Sequence, residues 1–169
     1  MNPSLLSCLL LAACAGATPD PASPAPSSDS ERVDDAGRVK LWVPPGWTVD
    51  DSSADSLVVT APDQAVSLDV TMLDGKDLAT ALVAVAAAAV IGYDDLQLVG
   101  SPVSGQINGM NALFQDGRGK YHGHEVELSI GVIDTPAEKY LLVVGEAEAG
   151  AYAEHEHVIR EFMQRIRPI

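Results

Sequence analysis

Glu125-Val126-Glu127-Leu128-Ser129-Ile130-Gly131-Val132 is the stretch whose reading decides the fold. Glu125, Glu127 and Ser129 alternate with Val126, Leu128, Ile130 and Val132. Successive side chains of a strand point to opposite faces, so this period of two predicts a strand with one apolar face. Its neighbours carry weaker versions of the same pattern. Asn108-Gly109 predicts a tight turn between Val103–Ile107 and a strand over Met110–Gln115. The short Leu96–Val99 run comes before them, and Asp116-Gly117-Arg118-Gly119 reads as a second tight turn. On the C-terminal side, Asp134-Thr135-Pro136-Ala137 turns the chain into Tyr140–Gly145. Hairpins in succession predict an antiparallel sheet.

The first half of the domain repeats this logic. Val39, Leu41 and Val43 alternate with Arg38, Lys40 and Trp42, and Pro44-Pro45-Gly46-Trp47 ends the strand. Leu57–Thr60 and the alternating Val66, Leu68, Val70 and Met72 form a hairpin through Pro62-Asp63-Gln64. Asp77 is a good N-cap for a helix from Leu78 to about Ile91. That segment is apolar all round, which predicts burial on more than one side, and it is too short for the ~20 residues a bilayer span needs. The chain closes with an amphipathic helix from about Tyr152. It gathers Val158, Ile159, Phe162, Met163 and Ile166 on one face, with Glu154 and Glu156 early, Arg165 and Arg167 late, and Pro168 as its stop.

The predicted order is three strands, a helix, about four strands and a helix. The fold class is therefore α+β, a central antiparallel sheet of about six to seven strands with two main helices packed on it. Within 38–169, three motifs fall in a telling order: Val43-Pro44-Pro45-Gly46-Trp47, Ile107-Asn108-Gly109-Met110-Asn111-Ala112, and Phe162-Met163-Gln164-Arg165-Ile166-Arg167-Pro168. In this the domain resembles the PsbP/DcrB-like superfamily. The resemblance implies helices packed on the faces of an antiparallel sheet. It also implies a role in binding protein partners, since most of that superfamily's lipoproteins, photosystem-associated proteins and nuclear-transport cofactor are not enzymes. A fold alone selects no function.

Residues 1–37 have another character. Leu5–Ala13 is almost wholly apolar, about the length of a signal h-region, and ends in Leu11-Ala12-Ala13-Cys14, which resembles a bacterial lipobox. The resemblance implies removal of 1–13 as a signal peptide and acylation of Cys14. Met1-Asn2-Pro3-Ser4 lacks the usual Lys or Arg, which a start codon slightly upstream would supply. Residues 14–37 alternate Pro19, Pro21, Pro24 and Pro26 with Ala, Ser and Asp, and are expected to form a disordered tether. Such a tether would reach about 25–30 Å as a coil and up to ~70 Å as polyproline II. With Cys8 removed and Cys14 acylated, the mature chain holds no thiol, hence no disulfide and no cysteine nucleophile. By resemblance to enteric lipoproteins, Ala15 in place of Asp after the lipidated cysteine favours the outer membrane over the inner.

The formal charge of −14, from 10 basic and 24 acidic residues, argues against nucleic acid and against a domain lying flat on anionic lipid. Catalytic arrangements are sparse. No Gly-x-Ser-x-Gly elbow occurs, and the pairs Asp34-Asp35, Asp50-Asp51 and Asp94-Asp95 are neighbours in sequence that read as solvated loop charge. His122-Gly123-His124 would put both imidazoles on one face if it lay in a strand, so His122 and His124 are the candidate metal ligands; His155 and His157 diverge on a helix. Solvated histidines are the simpler reading, and neither metal nor cofactor is expected. The sequence thus predicts a non-catalytic lipoprotein of the cell envelope whose acidic domain docks an envelope protein. Trp42 and Trp47, on either side of the Pro-Pro-Gly bend, are the candidate contacts, with Trp42 on the less buried strand face. The alternative is a small-ligand or metal-binding module that uses His122 and His124 or a cavity between helix and sheet.

Overall fold

The computed structural model describes residues 30–53, 56–75 and 77–169, with the side chains of 85–91 left aside. The lipobox, Cys8 and Cys14, and most of the expected tether lie outside the described residues.

The chain runs β1 (Ser30–Asp34), β2 (Val39–Val43), β3 (Thr48–Asp50), β4 (Ser56–Thr60), β5 (Val66–Leu73), α1 (Leu78–Gly92), β6 (Asp94–Ile107), β7 (Met110–Tyr121), β8 (His124–Asp134), β9 (Tyr140–Glu148), α2 (Tyr152–Arg165) and β10 (Arg167–Pro168). Seven strands form an antiparallel sheet in the order β3-β4-β5-β9-β8-β7-β6, and β1-β2-β10 form a smaller one. The α+β class holds, with the central sheet at the upper end of the expected strand number.

Register explains how the faces divide. Asp69 pairs with Val144, Val144 with Ile130, and Ile130 with Gln115, so these four share a face. Val70, Val143 and Gly131 share the other. On that second face α2 and the small sheet close the main core, with Phe162, Ile159, Ile166, Leu41, Leu68 and Leu141 fully buried or nearly so. On the first face α1 lays Ala81 and Leu82 against Val126, Leu128, Ile130 and Val132. Small residues set the helix–sheet distance: a Cβ on Gly145 would stand 2.5 Å from Ile159 Cγ2, so α2 rests against bare backbone there.

Side chains cap the start of α1 and the end of α2. Asp77 accepts hydrogen bonds from the Thr80 backbone N–H and hydroxyl, each at 2.8 Å, and so caps α1 as expected. Asn108, in the left-handed region at φ 47°, donates its side-chain N–H to the carbonyls of Gln164 (2.9 Å) and Ile166 (2.6 Å). It therefore fixes the β6–β7 turn and caps two of the otherwise unpaired carbonyls that end α2.

Four expectations change. Asp116-Gly117-Arg118-Gly119 is not a turn: it continues β7, paired with Ser129, Leu128, Glu127 and Val126. Its glycines serve close packing, for a Cβ on Gly119 would stand 3.3 Å from Leu96 Cα and from the Asp94 carbonyl. The turn falls later, at His122 (φ 50°) and Gly123 (φ 85°). Ser30–Asp34, within the expected tether, is already strand β1, because it pairs along β2 although its side chains are exposed. Charge supports that polar strand: Glu31 meets Lys40 and Arg167, and Arg32 lies 3.4 Å from Asp51. The described part of α1 buries one side only, leaving Val83 69% exposed. Pro168 follows a chain already extended at Ile166, and Arg167–Pro168 pairs with β2.

Candidate functional site

The first face of the large sheet is covered by α1 over only part of its width. What remains is a cleft of about 670 Å³ between the helix and strands β4, β5, β9 and β8. Its floor is apolar, made by Leu128, Ile130, Leu142 and Val144. The wall from β5 is polar because its alternation puts Ser67, Asp69 and Thr71 on this face, while Val66, Leu68 and Val70 go into the main core. Glu146, paired with Ser67, adds a second carboxylate. Among the described residues no Lys, Arg or His lines the cleft.

Tyr93, between α1 and β6, closes one end. Its hydroxyl donates to Glu146 Oε2 at 2.5 Å, and its ring lies 5.5 Å from that of Tyr121. Burial, the hydrogen bond to Glu146 and that carboxylate's charge push the Tyr93 phenol far above its ordinary range, so it stays a neutral donor. Asp69 accepts from the Thr71 hydroxyl at 3.0 Å and is otherwise open to solvent. The cleft therefore has an apolar bed, hydroxyls at its rim and two carboxylates, a lining suited to holding a molecule.

A second surface lies at the sheet edge. Among the described residues strand β6 has β7 on one side and no strand on the other. From Leu96 to Ile107 it carries no charged residue, in a chain whose composition is 20% charged. Val103 is 64% exposed, Val99 50% and Leu98 42%. Between Val99 and Val103 the strand bulges, with three residues of β6 (100–102) set against one of β7 (Gln115). The buried Gln115 holds the bulge by donating to the Val99 carbonyl at 2.6 Å. Edge strands are commonly blunted by bulges and proline, and Pro102 lies in this one.

The residues singled out from sequence fare unevenly. His122 occupies the β7–β8 turn and His124 begins β8, so the two do not share a strand face. Among the described residues no group of three His, Cys, Asp or Glu side chains is placed to hold a metal. His122 instead packs its ring against Tyr121, with centroids 4.3 Å apart. His155, on α2, lies 3.3 Å from Asp63 in the β4–β5 turn. Asp34 and Asp50 use their carboxylates locally, accepting from the Gly37 and Ser52 backbone N–H groups.

Trp42 does not lie on a less buried face. It is 8% exposed, with the Arg165 guanidinium 4.1 Å from its ring centroid, because β2 is covered on both sides. Trp47 is partly buried against the same core. A polar cluster missed from sequence joins Ser129, whose hydroxyl contacts Tyr152 (2.5 Å) and donates to Asp116 (3.1 Å). It ties α2 to the sheet, with a neutral tyrosine where a general base would stand, since burial raises the Tyr152 phenol.

No protein-family model and no curated protein matches the sequence. Solved structures do match in shape. The cyanobacterial PsbP protein CyanoP of Synechocystis superposes with a TM-score of 0.67 at 12% identity, over 94% of this chain and 99% of that one. LpqN, a Mycobacterium tuberculosis protein involved in cell envelope biogenesis, gives 0.57 at 13% identity, over 83% and 85%. The Saccharomyces cerevisiae Ran-binding protein Mog1p gives 0.57 at 12% identity, over 82% and 94%. The chain thus has a PsbP-like α+β fold. Among the described residues no helix is long and apolar enough to cross a membrane.

Proposed function

We propose that this chain is a non-catalytic lipoprotein of the bacterial cell envelope, anchored through Cys14, whose domain docks a protein partner along β6. The observation that carries the docking surface is the edge strand, uncharged from Leu96 to Ile107, with Leu98, Val99 and Val103 exposed. Apolar side chains grouped at one edge mark interaction surfaces on soluble domains. The bulge and Pro102 oppose continuous strand-on-strand addition, so recognition rests on the side chains. The Leu11-Ala12-Ala13-Cys14 motif supports the anchor, and the envelope role of LpqN agrees with the address. Ala15 after the cysteine favours the outer membrane. Because Ser30–Asp34 is strand β1, at most the 15 residues 15–29 are left to act as a tether between Cys14 and the domain. A linker of that length would reach about 20 Å as a coil and about 45 Å as polyproline II.

A photoreactive side chain placed at Val103 in the full-length protein, irradiated in intact cells, tests the docking surface. The expected result is one discrete adduct that Val99→Lys removes and that the same probe at Glu154 on α2 does not give. Equal labelling at both positions, or an adduct indifferent to Val99→Lys, would remove β6 as the contact.

A further inference from the structure

The cleft under α1 is a site of a different kind from the β6 edge, and its lining selects a chemistry. We propose that it binds a small amphiphilic cation, an aliphatic body carrying an ammonium head. Leu128, Ile130, Leu142 and Val144 form the bed for the body, and Asp69 and Glu146 receive the head.

Three observations favour this occupant. The volume, about 670 Å³, is in the range of small-molecule sites, roughly 300–1,000 Å³. The floor side chains Leu142 and Val144 keep part of their surface uncovered although they lie in mid-sheet, so an apolar occupant removes water from them. Among the described residues the charge is of one sign, since Asp69 and Glu146 line the cleft with no basic side chain beside them. An anionic head would be repelled by the two carboxylates, and a neutral one would leave their charge without a counter-ion. An ammonium carries three donors. Tyr93 already occupies Oε2 of Glu146, which turns that carboxylate into a fixed acceptor with Oε1 still to be used. Asp69 is held by Thr71 in the same way.

The test uses the full chain carrying Cys14→Ser, titrated calorimetrically with octylammonium, octanol and octanoate. Octylammonium is expected to bind most tightly and to shift the methyl resonances of Leu128, Ile130, Leu142 and Val144. The double variant Asp69→Asn/Glu146→Gln should weaken octylammonium at least about tenfold, the share of one charge-assisted hydrogen bond, with octanol little changed. Glu125→Gln/Glu127→Gln removes the same charge outside the cleft and should leave the affinity alone, which separates the site from the general pull of a −14 chain. Phosphatidylcholine vesicles doped with octadecylammonium distinguish the ligand's source. Depletion of the amine from the vesicles marks a membrane-derived amphiphile; octylammonium binding without depletion marks a free one. The proposal is overturned if wild type binds octanoate as well as octylammonium, or binds neither. Methyl shifts elsewhere in the protein, or full affinity in the Asp69/Glu146 variant, overturn it equally.

Discussion

Gly145→Ala probes the contact that sets the depth of α2 on the sheet. Gly145 does not have a left-handed backbone, so alanine is compatible with its conformation. Stiffening the unfolded chain would by itself favour the variant by about 0.5–1 kcal/mol. Space decides otherwise. The new Cβ would stand 2.5 Å from Ile159 Cγ2 and 3.3 Å from Leu68 Cδ2, where ordinary carbon contacts begin near ~3.5 Å. Ile159 is fully buried, so α2 has to lift or its side chain leave its rotamer. Overpacking of this kind costs about 1–3 kcal/mol, which at the middle of both ranges leaves a net loss of about 1 kcal/mol and at most about 2.5 kcal/mol. Urea unfolding followed by fluorescence of Trp42, which lies beneath Arg165 of α2, reads the effect. Ile159→Ala alone should cost about 2–5 kcal/mol through its cavity. In the double variant the added methyl occupies part of that cavity, so the summed loss should fall short of additivity by about 1 kcal/mol. A neutral or stabilising Gly145→Ala, or strict additivity with Ile159→Ala, would refute the packing argument.

Two further perturbations test how the helices are held. Asn108→Gly keeps the left-handed turn but removes both donations to the end of α2, and should cost about 1–2 kcal/mol in urea unfolding; a loss indistinguishable from zero would show the cap to be idle. Asp77 has its carboxyl held below the ordinary range by the Thr80 backbone and hydroxyl bonds. A group whose folded pKa is depressed contributes stability above its unfolded pKa and loses it as pH falls through the folded value. The melting-temperature gap between wild type and Asp77→Ala should therefore be widest near neutrality and narrow in acid. A gap that widens on acidification would contradict the assignment.

How far the sequence can be read depends on whether a pattern is local. The alternation of β8 and β5, the Asp77 cap and the Asn108-Gly109 turn are short-range signals, and the structure follows them. Gly117 and Gly119 mislead because glycine serves both turns and close approach, and only the passage of β6 beside Gly119 decides between them. Strand β1 has no apolar period; its register comes from β2 and its side chains rely on ion pairs with residues as distant as Arg167. Trp42 fails the one-face rule because two sheets and a helix enclose β2, which no period of two within five residues records. The cleft is legible only in fragments. Ser67, Asp69 and Thr71 already oppose Val66, Leu68 and Val70 in sequence, but Tyr93, Tyr121 and Glu146 join them through tertiary structure alone.

Everything proposed about address and attachment turns on Cys14, so the central measurement is cell fractionation of wild type and Cys14→Ser with a fatty-acid label. Wild type should take up label and sediment with the membranes. Cys14→Ser should be unlabelled and soluble, with an unfolding curve that overlays the wild-type domain. A Cys14→Ser protein that stays in the membrane fraction with its signal removed, or a wild type that takes up no label, would contradict the account.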